Sequence, residues 1–370
     1  MKQIIFYYPQ HFNRTSKGEN PFFDALINTC RNHNIPYVVL EEPDKSGKPH
    51  NESAVSAKRF LFLVLVVRKL LSWIFRNRTF HQREKIAGKI VNILTLGHFR
   101  SKICITISGS MYWMFAAINP KAQVYDLQHG ILCKQHKTFF DEKSHKLRPQ
   151  YFDKNLNFLF WGEGFKKLFI QGEEEIMRDK AFVIGYPIRD TLKSMKRKSD
   201  QIQNLLYSLQ FTDDFSTKEL EKLKQQLIYV LEETKNLEVT VWLKHHPRFN
   251  NCINLSDVLT RYPHAQITQD SLEQLYTKID LHLTYFSTTA FEYARFGIPT
   301  YFLNLNKNEV NMFYSEFHYP LYANMPLCDV IKVLSDTKTY NTHSELLKDW
   351  YSTFYSSYNE ENFLQLLAQR

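Results

Sequence analysis

The sequence predicts an α/β protein of two consecutive domains, each built on a doubly wound parallel sheet. Three observations lead there. Short runs rich in Ile, Val, Phe and Tyr alternate with segments of helical periodicity along most of the chain. The alternation occurs twice, on either side of a polar, strongly basic stretch at 191–201 (TLKSMKRKSDQ) that reads as a linker. At 370 residues the chain also exceeds what one hydrophobic core usually serves.

The first alternation opens as βαβ: a strand at 4–8 (IIFYY), a helix at 22–34 and a strand at 37–42 (YVVLEE). Further strands are expected at 103–109 (ICITISG), 123–130 (QVYDLQHG), 157–162 (NFLFWG) and 181–186 (AFVIGY), with a helix MYWMFAAIN after the first of them. Strands separated by helices favour a parallel sheet covered on both faces. The second alternation runs through helix KELEKLKQQLIYVLEETK, strand VTVWLKHHP, strand AQITQD, helix SLEQLYTK, strand LHLTYFS, helix TTAFEYARFG and strand PTYFLNL. The expected domains are 1–190 and 191–345, with a helical, aromatic tail at 346–370 that could cross back to the first.

One segment departs from this rhythm. From Ser56 to Arg78 (SAKRFLFLVLVVRKLLSWIFRNR) two apolar runs are interrupted by Arg68 and Lys69 and flanked by basic residues. Its longest uninterrupted apolar run falls far short of the roughly 20 residues that span a bilayer. Two readings stay open: a buried helix of the first domain, or a basic interfacial helix docking on anionic membrane.

Composition narrows the field. The formal net charge of +9 calls for an anionic partner, which can be nucleic acid, a membrane surface or a phosphorylated substrate. No RNP motif, zinc-finger spacing or basic-region helix is present, so nucleic acid is not expected. Five cysteines, odd in number and without a CxxC pair, read as reduced thiols. The opening MKQIIFYYPQHF reaches Pro9 too soon for a signal peptide, so a cytoplasmic protein is expected, peripheral on the inner membrane face if the basic segment docks there.

The segment VTVWLKHHPRF ends a strand at Lys244 and delivers His245, His246 and Pro247 to the carboxyl edge of the second sheet, where open α/β sheets bind ligands. Imidazole and ammonium groups there can bond a phosphate and stabilise a departing anion; the bland alternative is a solvent-facing or capping histidine. Downstream, Ser287, Thr288 and Thr289 open a helix whose backbone N–H groups suit phosphate, although an ordinary N-cap explains the same residues. In QVYDLQHG the strand carries Asp126 and His129 to the edge of the first sheet. His129 is a candidate base for an acceptor hydroxyl or a donor to a sugar carboxylate, with a structural histidine as the alternative. Glu163, in a Gly-Glu-Gly turn, is a candidate base or nucleophile, as are Asp126 and Asp190. Arg189 beside it could contact phosphate or simply brace the domain junction with Asp190. Tyr7, at the end of the first strand, and His11 and Ser110, in the loops beyond strands, are candidates for reading an acceptor. No DxD pair stands at a strand end and no metal-ligand spacing is evident, so chemistry without a metal or other cofactor is expected.

A His-Pro strand end followed some forty residues later by a Ser/Thr-rich helix start resembles the His-Pro and Ser-Ser/Thr motifs of bacterial sialyltransferases and of capsule or O-antigen Kdo transferases. YDLQHGIL and VIGYPIRD look like elements of surface-polysaccharide transferases and of teichoic-acid CDP-glycerol transferases. The resemblance implies the GT-B fold, two Rossmann-like domains facing a cleft. It also implies a nucleotide-sugar donor, a CMP-activated keto-sugar acid such as Kdo or sialic acid, and a glycan or lipid-linked acceptor. Glu292, one turn into the helix, is where GT-B enzymes place an acid against the donor. The acidic pair that carries the base of the inverting sialyltransferases is missing, since GEG supplies one carboxylate. Competing expectations are a transferase using CDP-glycerol or a UDP- or GDP-hexose, a UDP-sugar epimerase, and a non-catalytic protein binding membrane or nucleic acid.

Overall fold

The computed structural model describes residues 2–134, 136–188, 201–212, 215–246, 249, 251–304 and 310–368. By its contacts the chain divides into two compact units, Met1–Asp190 with Phe354–Arg370, and Thr191–Thr353.

The first unit contains β1 (Lys2–Pro9), α1 (Pro21–Asn32), β2 (Tyr37–Glu42), β3 (Val55–Ser56), α2 (Lys58–Ile74), α3 (Phe80–Leu94) and β4 (Ser101–Ile107). It continues with α4 (Tyr112–Ile118), β5 (Gln123–Leu127), β6 (Leu156–Phe160), α5 (Glu163–Ile170), α6 (Glu174–Met177) and β7 (Ala181–Val183). The strands form one sheet of order β3-β2-β1-β4-β5-β6-β7, parallel throughout. Local chemistry sets the helix starts. Asn20 caps α1 by accepting the Phe22 N–H at 3.0 Å, with Pro21 at the first helical position, and Thr79 and Gln82 close a capping box on α3. β1, β4, β5 and β6 are almost wholly buried, as expected of strands covered on both faces.

The second unit contains β8 (Asn204–Ser208), α7 (Thr217–Thr234), β9 (Thr240–Lys244), α8 (Ser256–Arg261), β10 (Ala265–Ile267), α9 (Leu272–Tyr276) and β11 (Leu281–Thr284). After these come α10 (Thr289–Arg295), β12 (Thr300–Phe302), α11 (Met312–Ser315), α12 (Leu327–Leu334) and α13 (Thr337–Phe354). Its sheet has the order β10-β9-β8-β11-β12, again parallel. Leu206, Leu275, Ile279, Tyr293, Phe296 and Ile298 pack as one of its buried clusters.

The C-terminal tail is two helices rather than one: α13 ends at Phe354, and α14 (Glu360–Ala368) follows after a short break. From Phe354 onward the chain belongs to the first unit. The Phe354 ring lies where a side chain on Gly164 would be, 2.7 Å from the position of a Cβ, so that glycine is dictated by a partner distant in sequence. Tyr186 N–H donates to the Ser356 carbonyl at 2.8 Å and Asn359 N–H to that of Ile184, also at 2.8 Å, fastening the tail to the end of β7.

The segment between Ser56 and Arg78 is largely α2. Phe60, Val64, Val67 and Leu71 make a buried stripe, while Phe62, Leu65, Leu70 and Trp73 are exposed. It is therefore a buried helix on one side only. Among the described residues no helix is long and apolar enough to cross a membrane.

Candidate functional site

In an open α/β sheet, ligands bind outside the carboxyl ends of the strands where the order reverses. The strand orders put that point between β1 and β4 in the first unit and between β8 and β11 in the second.

At the first point, β4 runs into a turn in which Ser108 (φ 63°), Gly109 (φ 64°) and Met111 (φ 55°) all have left-handed backbone. Two of the three are not glycine, and Met has no local hydrogen bond with which to offset the strain. Such strain persists only where the surroundings over-determine it. Asp126 is one constraint: buried on neighbouring β5, its carboxylate accepts the Gly109 N–H at 2.8 Å and the Thr106 hydroxyl at 3.3 Å. Burial pushes its pKa up to about 7, against the lowering effect of those two bonds. Ser110, the remaining residue of the turn, donates to Glu42 at 3.1 Å, and Tyr7 donates to the same carboxylate oxygen at 2.7 Å. Burial, with Glu42 beside it, keeps the Tyr7 phenol protonated far above the usual tyrosine range.

The loop after β1 carries His11. Its backbone N–H donates to the Asp44 carboxylate at 2.8 Å, and its Nδ1 lies 2.7 Å from the same oxygen. Burial opposes ionisation of Asp44, but bonds from Ser46 and His11 outweigh it and bring the carboxyl down to about 2. Asp44 thus stays charged at any ordinary pH and fixes the orientation of a half-exposed imidazole. The loop holding Asp44 is itself braced. Buried Glu41 accepts from Tyr8 (3.2 Å), Asn13 (2.8 Å) and the Asn51 N–H (3.0 Å), and pairs with His50. The Phe12 ring lies tilted against His11 at 4.5 Å and edge-on to His129 at 5.4 Å between ring centres.

His129 is far more enclosed than His11. Burial, with His136 and His11 nearby, drives its pKa down to about 4, so it is neutral at pH 7 and weakly basic. Its neighbour Gln128 accepts the Trp161 N–H at 3.0 Å and donates to the Gly130 carbonyl at 2.8 Å, tying the ends of β5 and β6 together. Glu163 does not occupy a turn. Gly162 is the N-cap and Glu163 the first residue of α5, exposed and 3.7 Å from Lys166, because the chain turns helical directly after β6. Asp126 is likewise no exposed nucleophile, since its carboxyl is spent on the β4 turn. Arg189 and Asp190 lie outside the described residues.

In the second unit β8 stands between β9 and β11, so the segments after β9 and β11 flank its end, ~10 Å apart at two strand spacings. His282, on β11, organises this edge. Its Nε2 is 2.8 Å from Ser208 Oγ and 3.4 Å from Thr289 Oγ1, its Nδ1 is 3.0 Å from Thr300 Oγ1, and its ring stacks on Tyr293 at 4.4 Å. Complete burial lowers its pKa to about 3, so it is held neutral and shared among three hydroxyls. Through Thr289 it positions the Ser287-Thr288-Thr289 turn, where Ser287 Oγ and Thr289 Oγ1 are 2.8 Å apart and Ser287 accepts the Thr289 N–H at 3.3 Å. Thr288 is the N-cap residue of α10 and makes no side-chain cap bond.

The other residues expected on this edge separate into two groups. Lys244 Nζ donates to the Asp270 carbonyl at 2.5 Å, bracing the loop after β10. His245 stacks on Phe249 at 3.8 Å; burial lowers its pKa, and its buried Nδ1 has no hydrogen-bond partner among the described residues. His246, half-buried, follows at the strand end and accepts the Phe249 N–H on its carbonyl at 2.8 Å. Pro247 lies outside the described residues. Glu292 accepts the Tyr276 hydroxyl at 2.6 Å, and burial pushes its carboxyl upward. Among the described residues no group of three or more His, Cys, Asp or Glu side chains could hold a metal ion.

Asp44, Glu42 and His282 are absent from the sequence-level candidates. Asp44 and Glu42 could have been found from their place at the end of the strand pairing with β1; His282 carries no signal beyond being a histidine in an apolar strand.

No family model matches the chain, and no curated protein matches it. Solved structures do. A UDP-GlcNAc 2-epimerase from Neisseria meningitidis bound to UDP-GlcNAc matches at TM-score 0.58 and 13% identity, covering 100% of both chains. The wall teichoic acid polymerase TagF matches at TM-score 0.51 and 13% identity, over 99% of this chain and 87% of that one. The glycosyltransferase SnogD from Streptomyces nogalater matches at 0.52 and 10% identity over 100% of both. At such identities the likeness establishes the fold: the chain has the α/β, GT-B fold, two Rossmann-like domains in succession.

Proposed function

We propose that the protein is a metal-independent glycosyltransferase of bacterial surface-polymer synthesis, taking its glycosyl or related group from a nucleotide-activated donor. The observation that carries this reading is the pairing, on one sheet edge, of the His245-His246 strand end with the Ser287-Thr288-Thr289 turn, on either side of the point where strand order reverses. Hydroxyls, imidazoles and backbone N–H groups gathered there suit a phosphate. Whole-chain likeness to a wall teichoic acid polymerase, a glycosyltransferase and an epimerase bound to UDP-GlcNAc supports the same class.

In this reading the second unit holds the nucleotide, and His246 with the Ser-Thr-Thr turn stabilises the phosphate charge that grows as the donor bond breaks. The first unit activates the acceptor. His11, oriented by Asp44 through Nδ1, takes the acceptor hydroxyl proton on Nε2 as the new C–O bond forms. His11 is chosen over His129, which burial encloses and holds near a pKa of 4, and over Glu163, which is exposed on α5 with no partner among the described residues orienting it toward the edge, because Asp44 fixes the half-exposed His11 ring. Among donors, a CMP-activated keto-sugar acid such as Kdo or sialic acid is the first choice, on the motif resemblance. CDP-glycerol is second, on the likeness to the teichoic acid polymerase.

A thermal-shift panel of CMP, CDP, UDP and GDP, run with EDTA on the wild type and on His246→Ala, tests the proposal. Stabilisation grows with ligand by mass action, about 2.7 kcal/mol at a hundredfold excess over Kd. A shift with a cytidine nucleotide that His246→Ala abolishes supports it and selects the donor class. No shift with any of the four nucleotides refutes it.

A further inference from the structure

Helix α2 is apolar on two opposite sides. At 100° per residue, Phe60, Val64, Val67 and Leu71 share one face, and that face is buried against the first unit. Phe62, Leu65, Val66, Leu70 and Trp73 lie on the other side, interleaved with exposed Lys58, Arg59 and Lys69, and all are exposed, Phe62 at 70% and Trp73 at 69%. A cluster of large apolar side chains left exposed on a helix marks a surface that meets lipid or another molecule. This helix has a core on one side, and its other side is open to solvent among the described residues. The rotation is fixed: Arg68, on the flank of the inner face, makes a two-pronged pair with buried Glu84 of α3 at 2.8 and 2.7 Å. The apolar patch continues where α3 returns to the start of α2. There Phe99 packs on Phe60 at 4.4 Å, while Ile93, Leu94 and Leu96 stand open to solvent, Leu96 at 96%.

Charge selects the occupant. From Ser53 to Arg83 the chain has seven Lys or Arg and no acidic residue. Only Arg68 is committed to an inward pair; Lys58, Arg59, Lys69, Arg76 and Arg78 are exposed on α2 and the turn after it. An apolar face carrying Trp, Phe and Leu within a field of lysine and arginine is how a helix lies in the headgroup layer of an anionic bilayer. A second copy of this chain would set like charge against like, and a water-facing surface would not carry an apolar patch of this extent.

We infer that the outer face of α2, extended by the exposed end of α3, docks the protein on anionic lipid bilayer, with α2 lying parallel to the membrane plane. The same helix touches the strained turn after β4, since Arg68 Nη2 lies 3.4 Å from Met111 Sδ. The docking helix therefore borders the first unit's candidate site, which suits an acceptor held in lipid. The docking itself does not depend on the donor or on the reaction.

Vesicle sedimentation with the full chain tests it. Vesicles of phosphatidylcholine alone are compared with vesicles containing about one-third phosphatidylglycerol, at low and high salt. Binding should be about tenfold stronger to the anionic vesicles and weaken with salt. Phe62→Ser with Trp73→Ser should reduce it by about tenfold or more, with the melting temperature unchanged because both side chains are exposed. Lys69→Glu with Arg76→Glu should remove the preference for anionic lipid. No binding to anionic vesicles, or equal and salt-insensitive binding to both kinds, overturns the inference. So does a stable dimer that the double serine variant dissolves and that binds no vesicles, since the face would then belong to a second copy.

Discussion

Asp126 offers the sharpest test of the site's electrostatics. Its carboxyl is almost wholly buried, receives the Gly109 N–H and the Thr106 hydroxyl on one oxygen, and titrates near 7 in place of the ordinary 3.8. The protonated form therefore favours the fold. Its contribution is fully present below pH 3.8 and is lost as pH rises to about 7. At 1.36 kcal/mol per pH unit, ionisation inside the protein costs on the order of 4 kcal/mol by neutral pH. Asp126→Asn keeps an oxygen that can accept both bonds and removes the charge. Wild type and variant should melt together near pH 4. Their difference should then widen in the variant's favour up to about pH 7 and stay flat beyond. For a domain of roughly 200 residues the plateau corresponds to on the order of 10 °C. The assay is thermal unfolding by near-UV circular dichroism at half-unit pH steps, both proteins in one buffer series. A difference that does not change with pH, or a variant less stable at every pH, would refute the account of Asp126 as a buried, proton-holding brace for the β4 turn.

Two further substitutions probe the frame and the chemistry. Arg68→Ala strands the Glu84 carboxylate without its partner, with an expected loss of about 3–5 kcal/mol; replacing the pair together by Met and Leu should recover most of it, as read by urea unfolding. Asp44→Asn leaves the His11 backbone bond possible but removes the fixed negative charge at Nδ1. Transferase activity should fall by about 10²-fold or more while nucleotide-induced stabilisation is retained, and an equal loss of both would point to a structural role instead.

The strand-helix alternation was legible because its carriers are local. Apolar runs of about five residues and stretches of helical periodicity need no distant partner to be read; the basic linker at 191–201 falls almost wholly outside the described residues. The exception is β8. NLLYS follows a polar stretch and precedes another, and offers five residues with no flanking turn signal, so the second alternation reads as if it began with α7. Yet β8 is central to its sheet. A strand in that place is specified by the neighbours that bury it, and these lie forty and eighty residues downstream in β9 and β11. The tail misled in the opposite way. Its aromatic periodicity runs on through 355–359, where the backbone instead pairs with Trp161, Ile184 and Tyr186.

The site was legible in its motifs and illegible in its geometry, for one reason: strand order is not written in sequence order. A Gly-Glu-Gly triplet looks like a flexible turn with a carboxylate at its tip, so Glu163 stood out. The fold makes the first glycine a helix cap and the second a seat for the Phe354 ring, and places the whole triplet at β6, two strands beyond β4. The residues that shape the edges are the unadvertised ones. In each unit, the strand across the reversal point, β4 or β11, leads through a short turn into a seven-residue helix that begins without a side-chain cap. In each, a buried titratable side chain ties that turn down: Asp126 on the Gly109 N–H, His282 on Thr289. Burial keeps both from being charged over part or all of the ordinary pH range, with pKa values near 7 and near 3. A carboxylate ionised in the buried interior beneath the β4 turn and a charged imidazole inside a sheet would each cost the fold. Braces that work by hydrogen bonding while neutral avoid both costs, and this is why a polar residue in a strand, unremarkable in the sequence, becomes the element that the neighbouring turn depends on.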